Sequence, residues 1–160
     1  MPLHLADGVE AVNRLLRARA DPHARDRLGN APLHVVAERR WAAACAALLD
    51  AGVAVDVRNH SGLTPLHFAA FQANRAVAEL LLARGADINA RSEQAYVYKW
   101  VYVAWDVMGM EQHIAAGVTP IAYARRAHQR NRWVSSRYEH FADFLAERGA
   151  NEGWTWRPWK

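Results

Sequence analysis

Eight residues near the middle of the chain, Leu63-Thr64-Pro65-Leu66-His67-Phe68-Ala69-Ala70, have an earlier copy in Asn30-Ala31-Pro32-Leu33-His34-Val35-Val36-Ala37, offset by 33 residues. Self-similarity at that interval constrains the fold more than any local pattern does. A unit of that length cannot bury its own apolar face, so the copies must stack into one continuous core. Pro2-Leu3-His4-Leu5-Ala6 supplies another copy, and Val118-Thr119-Pro120-Ile121-Ala122-Tyr123-Ala124 a fourth. A second landmark follows each one. Gly85-Ala86-Asp87-Ile88-Asn89-Ala90-Arg91 matches Gly52-Val53-Ala54-Val55-Asp56-Val57-Arg58, and more weakly Arg19-Ala20-Asp21-Pro22-His23-Ala24-Arg25 and Gly149-Ala150-Asn151. Between the landmarks, Leu15-Leu16, Leu48-Leu49, Leu81-Leu82 and Leu145-Ala146 hold one fixed position.

The residue types fit a stack of helix pairs. Thr64 or Thr119 is placed to cap a helix whose first position, Pro65 or Pro120, has no N–H to leave unpaired. Gly52, Gly85 and Gly149 follow apolar stretches and suit a left-handed C-terminal cap. Val77, Leu80 and Leu81 have the spacing of a buried helical stripe. These motifs resemble ankyrin repeats, over roughly residues 1 to 91 and 117 to 151. The resemblance implies an all-α ankyrin-repeat solenoid of about four helix-turn-helix repeats (about 1–25, 26–58, 59–91 and 117–151) in a single domain, 1–160. It also implies that His4, His34 and His67, which share one repeat position, hydrogen-bond the turn and the helix start. That is a structural task rather than a metal site or acid–base chemistry.

Departures from the repeat mark the specialised parts. The first copy is three residues short between its landmarks, with Asp7-Gly8 supplying a bend, and the fourth has Ala122 in place of His. The spacing between prolines jumps from 33 to 55, which places a 22-residue insertion at 95–116. Its β-branched and aromatic content favours extended structure, possible as a β-hairpin, with Tyr96, Tyr98, Trp100 and Tyr102 on one face. A helix competes, because Tyr98, Tyr102 and Trp105 also fall at i, i+4, i+7. The resemblance puts this segment in the finger-like turn between repeats, on the side where such proteins grip partners. Tyr96, Tyr98, Trp100, Tyr102 and Trp105 are then candidate anchors, since large aromatics dominate interface energetics. The same aromatics would equally pack back on the solenoid or join a dimer.

Composition narrows the chemistry. Hydrophobic residues make up 52% and charged residues 22%, an ordinary globular balance. The single cysteine, Cys45, excludes a disulfide framework and aligns with small apolar positions of the other copies, so a buried, inert thiol is expected. Asp106, Glu111 and His113 lie together in the insertion and are the only candidates for catalysis, a carboxylate within reach of an imidazole being the minimum for acid–base work. No nucleophile or oxyanion donor accompanies them. The bases are 18 Arg and two Lys, for a net charge of +4. On one continuous helix Arg126, Arg130, Trp133 and Arg137 would share a face able to clasp phosphates. A break there, required if the fourth copy folds as a helix pair, makes the segment a solvated cap instead. Three of the seven Trp, Trp154, Trp156 and Trp159, sit in a tail at 152–160 and are expected to dock on the last repeat. There is no membrane-length apolar run and no secretory leader at the N-terminus, so a cytosolic protein is expected, and export by a signal-independent route is compatible with the same N-terminus.

The reading that follows is a non-enzymatic module that binds a protein partner through a concave surface and the aromatic loop, with Arg126, Arg130 and Trp133 alongside. It needs no cofactor and no metal. An enzyme or small-molecule pocket where the insertion meets the third and fourth repeats is the alternative, and an Arg-dependent nucleic-acid binder is a second one.

Overall fold

The computed structural model describes residues 2–93, 96–98, 112–114, 117–130 and 135–151, the backbone alone at 96–98, 112–114, 126–130 and 135. A single 3-10 turn over Pro2–Leu5 precedes helices α1 (Val9–Arg17), α2 (Pro32–Glu38), α3 (Ala42–Asp50), α4 (Pro65–Phe71) and α5 (Arg75–Ala83). Two short strands follow, β1 (Tyr96–Tyr98) and β2 (Gln112–Ile114), and then helices α6 (Pro120–Arg130) and α7 (Ser135–Glu147). The strands pair antiparallel, with Tyr96 opposite Ile114, Val97 opposite His113 and Tyr98 opposite Gln112.

The helices form two layers. Helices α2, α4 and α6 stack as one row and α1, α3 and α5 as another, while each first helix packs on its successor, α7 on α6 included. Leu33, Leu48, Leu66, Leu81, Ile121 and Leu145 are fully enclosed between the layers. Each such side chain contributes about 1.5–3 kcal/mol on burial, far beyond what a seven-residue helix gains from propensity. Ala37, Ala44, Ala69, Ala78 and Ala124, also enclosed, let the helices approach closely. Pro32 and Pro65 open their helices as expected, and Gly52, Gly85 and Gly149 close α3, α5 and α7 in the left-handed conformation at φ 89°, 87° and 87°.

The threonines differ from expectation. Thr64 stands at the start of α4 in an extended conformation, but its side chain accepts no backbone N–H. The cap is made by His67, whose Nδ1 accepts the Thr64 N–H at 3.1 Å while the Thr64 hydroxyl lies 2.9 Å from the same nitrogen. The Thr119 hydroxyl is committed elsewhere, donating to the Asn151 carbonyl at 2.9 Å.

Because Nδ1 accepts, the proton of His67 sits on Nε2 and is donated to the Val118 carbonyl at 2.9 Å. His34 repeats this, accepting from Ala31 N–H at 3.0 Å and donating to Leu63 at 3.0 Å. His4 Nε2 lies 2.7 Å from the Asn30 carbonyl. His34 and His67 thus join the start of their own helix to the turn of the next repeat, as the resemblance implied. His4 reaches the next turn through Nε2 alone, its buried Nδ1 having no hydrogen-bond partner among the described residues. Ala122 has no ring to continue the series.

Glycine is required where successive turns touch. Gly62 has φ 73°, and a Cβ there would lie 2.6 Å from the Glu93 backbone nitrogen. Gly29 has φ 76° and would meet the His60 backbone nitrogen at 2.8 Å.

Two outcomes follow. Gly62→Ala combines a disfavoured φ with a backbone clash and should cost more than about 2 kcal/mol, whereas Gly52→Ala meets nothing within 4 Å and should cost only about 1 kcal/mol. Equal losses in urea unfolding would show that the turn contact contributes nothing. Burial lowers His34 and His67 from 6.5 to about 4, against the opposing pull of the Leu63 and Val118 carbonyls. Between those values the unfolded chain binds more protons, so the contribution is complete above about pH 6.5 and is lost as pH falls towards 4. The loss is about 3 kcal/mol for each ring. His67→Gln, which keeps a donor and an acceptor at the third helical position, should be less stable at pH 7 and show a shallower decline to pH 4.5. An unchanged decline would remove His67 as its source.

Candidate interaction surface

The turns between repeats form a ladder of their own. Asp26 Oδ1 accepts from Leu28 N and Asn30 N, both at 2.8 Å, and Asn59 Oδ1 accepts from Ser61 N and Leu63 N, both at 3.0 Å. The backbone closes each turn through Asp26 N to Asn30 O at 3.0 Å and Asn59 N to Leu63 O at 3.1 Å. Ser92 holds the third such position. Its backbone N–H donates to Val118 O at 3.1 Å and its Oγ accepts from Val118 N at 3.1 Å, a separation of 26 residues where Asn59 and Leu63 are separated by 4. Gly117 N donates to Ser92 O at 2.8 Å, as Gly62 N does to Asn59 O at 3.0 Å. The extra residues are therefore spliced into the tip of a turn that still closes normally.

Successive turns are then sewn together. His60 N donates to Leu28 O at 3.1 Å, Glu93 N to Ser61 O at 2.9 Å, and Asn59 Nδ2 to Asn30 Oδ1 at 2.8 Å. Arg58 Nη1 donates to Gly62 O at 3.1 Å and to Arg91 O at 2.8 Å, and Arg25 Nη1 makes the equivalent pair of contacts with Gly29 O and Arg58 O. These arginines act as staples, and Arg58 also pairs loosely with Glu93 at 3.5 Å.

A second feature lies on the row of first helices. The residue after each histidine, or after Ala122, is Leu5, Val35, Phe68 or Tyr123, always large and apolar. Phe68 meets the His34 ring edge-on at 5.2 Å, and Phe71 and His67 meet Tyr123 edge-on at 5.9 and 6.0 Å. Leu63, His67, Phe68, Phe71 and Tyr123 line one small apolar cleft. The start of α7 is tied down beside it, Tyr138 Oη donating to Phe71 O at 3.2 Å and Arg137 Nη2 to Gln72 O at 2.8 Å. Exposure along the row falls from 78% at Leu5 to 7% at Phe68 and 4% at Tyr123. The alternation that drew attention to the insertion hid this row. Its signal was a large apolar residue recurring one place after the histidine position.

The expected sites fall as follows. Tyr96 and Tyr98 lie on β1, His113 on β2, and Arg126 and Arg130 on α6, with their backbones alone described. Trp100, Tyr102, Trp105, Asp106, Glu111, Trp133 and the tail at 152–160 lie outside the described residues. Arg126 and Arg137 lie on different helices, α6 and α7, which pack on each other. Helix α6 ends at Arg130 and α7 begins at Ser135, and the Arg137 guanidinium is used on the Gln72 carbonyl. The Cys45 thiol is fully buried and pushed up to about 12 by desolvation, which leaves it inert as a nucleophile. Among the described residues no three His, Cys, Asp or Glu side chains gather into a metal site, and no helix is long and apolar enough to cross a membrane. The apolar cleft carries no carboxylate.

A comparison with curated proteins finds no match. A family model described as ankyrin repeats matches residues 3–92 in three copies. That span is more than half of the 160 residues and contains the histidine series, the sewn turns and the paired helices; the chain belongs to the ankyrin-repeat family.

Proposed function

We propose that this chain is a non-enzymatic protein-interaction module, a single domain over 1–160 in which a fourth repeat at 117–151 extends the three matched ones. Its partner contacts lie on the concave surface and on the insertion at 95–116, with Tyr96, Tyr98, Trp100, Tyr102 and Trp105 as anchors and Arg126, Arg130 and Trp133 at their side. The observation that carries this reading is the closure of the third turn between Ser92 and Val118. Ser92 N to Val118 O, Val118 N to Ser92 Oγ and Gly117 N to Ser92 O close the turn across the insertion, which supports reading these 22 residues as an addition to the fold rather than part of its framework. Antiparallel pairing of β1 with β2 supports a hairpin root. The fourth repeat is supported by the opening of α6 at Pro120, by the close of α7 at Gly149 and by the packing of α6 on α4. The cleft lined by Leu63, His67, Phe68, Phe71 and Tyr123 is apolar and carries no carboxylate.

Removing 95–116 would leave Ser92-Glu93-Gln94-Gly117-Val118, equal in length to Asn59-His60-Ser61-Gly62-Leu63. The shortened chain should melt within a few degrees of the parent and lose the partners that the parent captures, read by mass spectrometry. Trp100→Ala with Tyr102→Ala should do the same. Capture that survives the deletion would end the proposal, and so would a large fall in melting temperature for the double variant, which would make these residues packing elements.

A further inference from the structure

Among the described residues only two large apolar side chains are strongly exposed, Leu5 at 78% and Leu28 at 50%. They belong to one place. Leu5 follows His4, whose ring is bonded to the Asn30 carbonyl, and Leu28 lies two residues before Asn30 in the turn that Asp26 closes. Leu5 is also the open end of the apolar row that continues through Val35 to the covered Phe68 and Tyr123.

The same corner holds guanidinium groups that make no ion pair among the described residues. Arg39 Nη1 donates to the Ala6 carbonyl at 2.7 Å, next to Leu5, and its charge lies 5.1 Å from the centre of the Trp41 ring. Arg27, beside Leu28 in the turn, is exposed and is in no ion pair among the described residues. The ion pairs that are formed there, Arg58–Glu93, Arg75–Glu79 and Arg84–Asp50, all lie farther along the chain. The acids of this corner are Asp7, Asp26 and Glu38, and Asp26 is spent on the Leu28 and Asn30 N–H groups and the Asn30 side chain.

We infer that the corner formed by Leu5, Leu28, Arg27 and Arg39 docks an acidic segment of a partner protein in which carboxylates flank a large apolar side chain. The leucines supply area that excludes water around the anchor, and the arginines supply planar donors for carboxylates at the rim. Rim charges of this kind govern association rate and choice of partner. The inference goes beyond the function proposed above, because the corner lies where the first repeat meets the second and does not need residues 95–116.

The test is fluorescence anisotropy with the full chain and a labelled synthetic peptide that alternates Glu and Asp with Leu and Phe. Copies with Ser for the apolar residues or Lys for the acids serve as controls, together with a single-stranded oligonucleotide. Leu5→Ser with Leu28→Ser, and separately Arg27→Gln with Arg39→Gln, change exposed side chains, and their melting temperatures should stay within a few degrees of the parent. The acidic apolar peptide should bind, and each double variant should weaken it at least about tenfold. Added salt should weaken the parent more than the arginine variant. Absence of peptide binding, equal binding of the Ser copy, or an affinity unaffected by both double variants would overturn the assignment. Tighter binding of the oligonucleotide than of the peptide would also overturn it, reassigning the corner to nucleic acid.

Discussion

A neutral, buried imidazole that accepts at one nitrogen and donates at the other is the interaction on which this solenoid turns. In His34 and His67 the accepting nitrogen closes the start of the residue's own helix and the donating nitrogen reaches the turn of the next repeat. Intramolecular caps and inter-repeat contacts are usually separate devices. Here one ring performs both, so helix formation and stacking are coupled. A helix of seven residues would not persist alone. Burial of Leu66 holds it, and its cap and its contact with the next repeat require the same tautomer of one ring.

The turns add a second coupled system at the edge of the stack. Asp26, Asn59 and Ser92 differ in chemistry, yet each supplies an oxygen that accepts backbone N–H groups across its turn. Arg25 and Arg58 then bind the carbonyls of their own turn and the one beyond. This edge keeps its closing hydrogen bonds even where the chain departs from it for more than twenty residues. Cost explains the tolerance: once the two ends of a loop are fixed, its closure entropy grows only with the logarithm of its length.

Much of this was legible in the residue order. The Thr-Pro-Leu-His recurrence and the glycines after Leu48-Leu49 and Leu81-Leu82 disclose the repeat length, the helix pairs and the histidine register, because each residue type answers a backbone demand that recurs every 33 residues. The break between α6 and α7 also follows from the need for a helix pair. Other features were hidden because they depend on partners remote in sequence. That Ser92 closes on Val118 cannot be read from either residue, and the Thr119 hydroxyl goes to Asn151 rather than to its own helix. The exposure of Leu5 against the enclosure of Phe68, at equivalent positions, is set by what lies over each and leaves no local mark.

The histidine series also has a direction. His4, His34 and His67 each reach towards the following turn, never the preceding one. Each ring is therefore an alignment instruction to its successor, answered by His60 N, Asn59 Nδ2 and Arg39 Nη1, which reach back to the preceding repeat. At Ala122 that instruction lapses, and the hydroxyl of Thr119 binds back to Asn151 within the same helix pair. The end of the series is self-contained, so what stacks beyond it, or is kept from stacking there, is not dictated by the rule that aligned everything before.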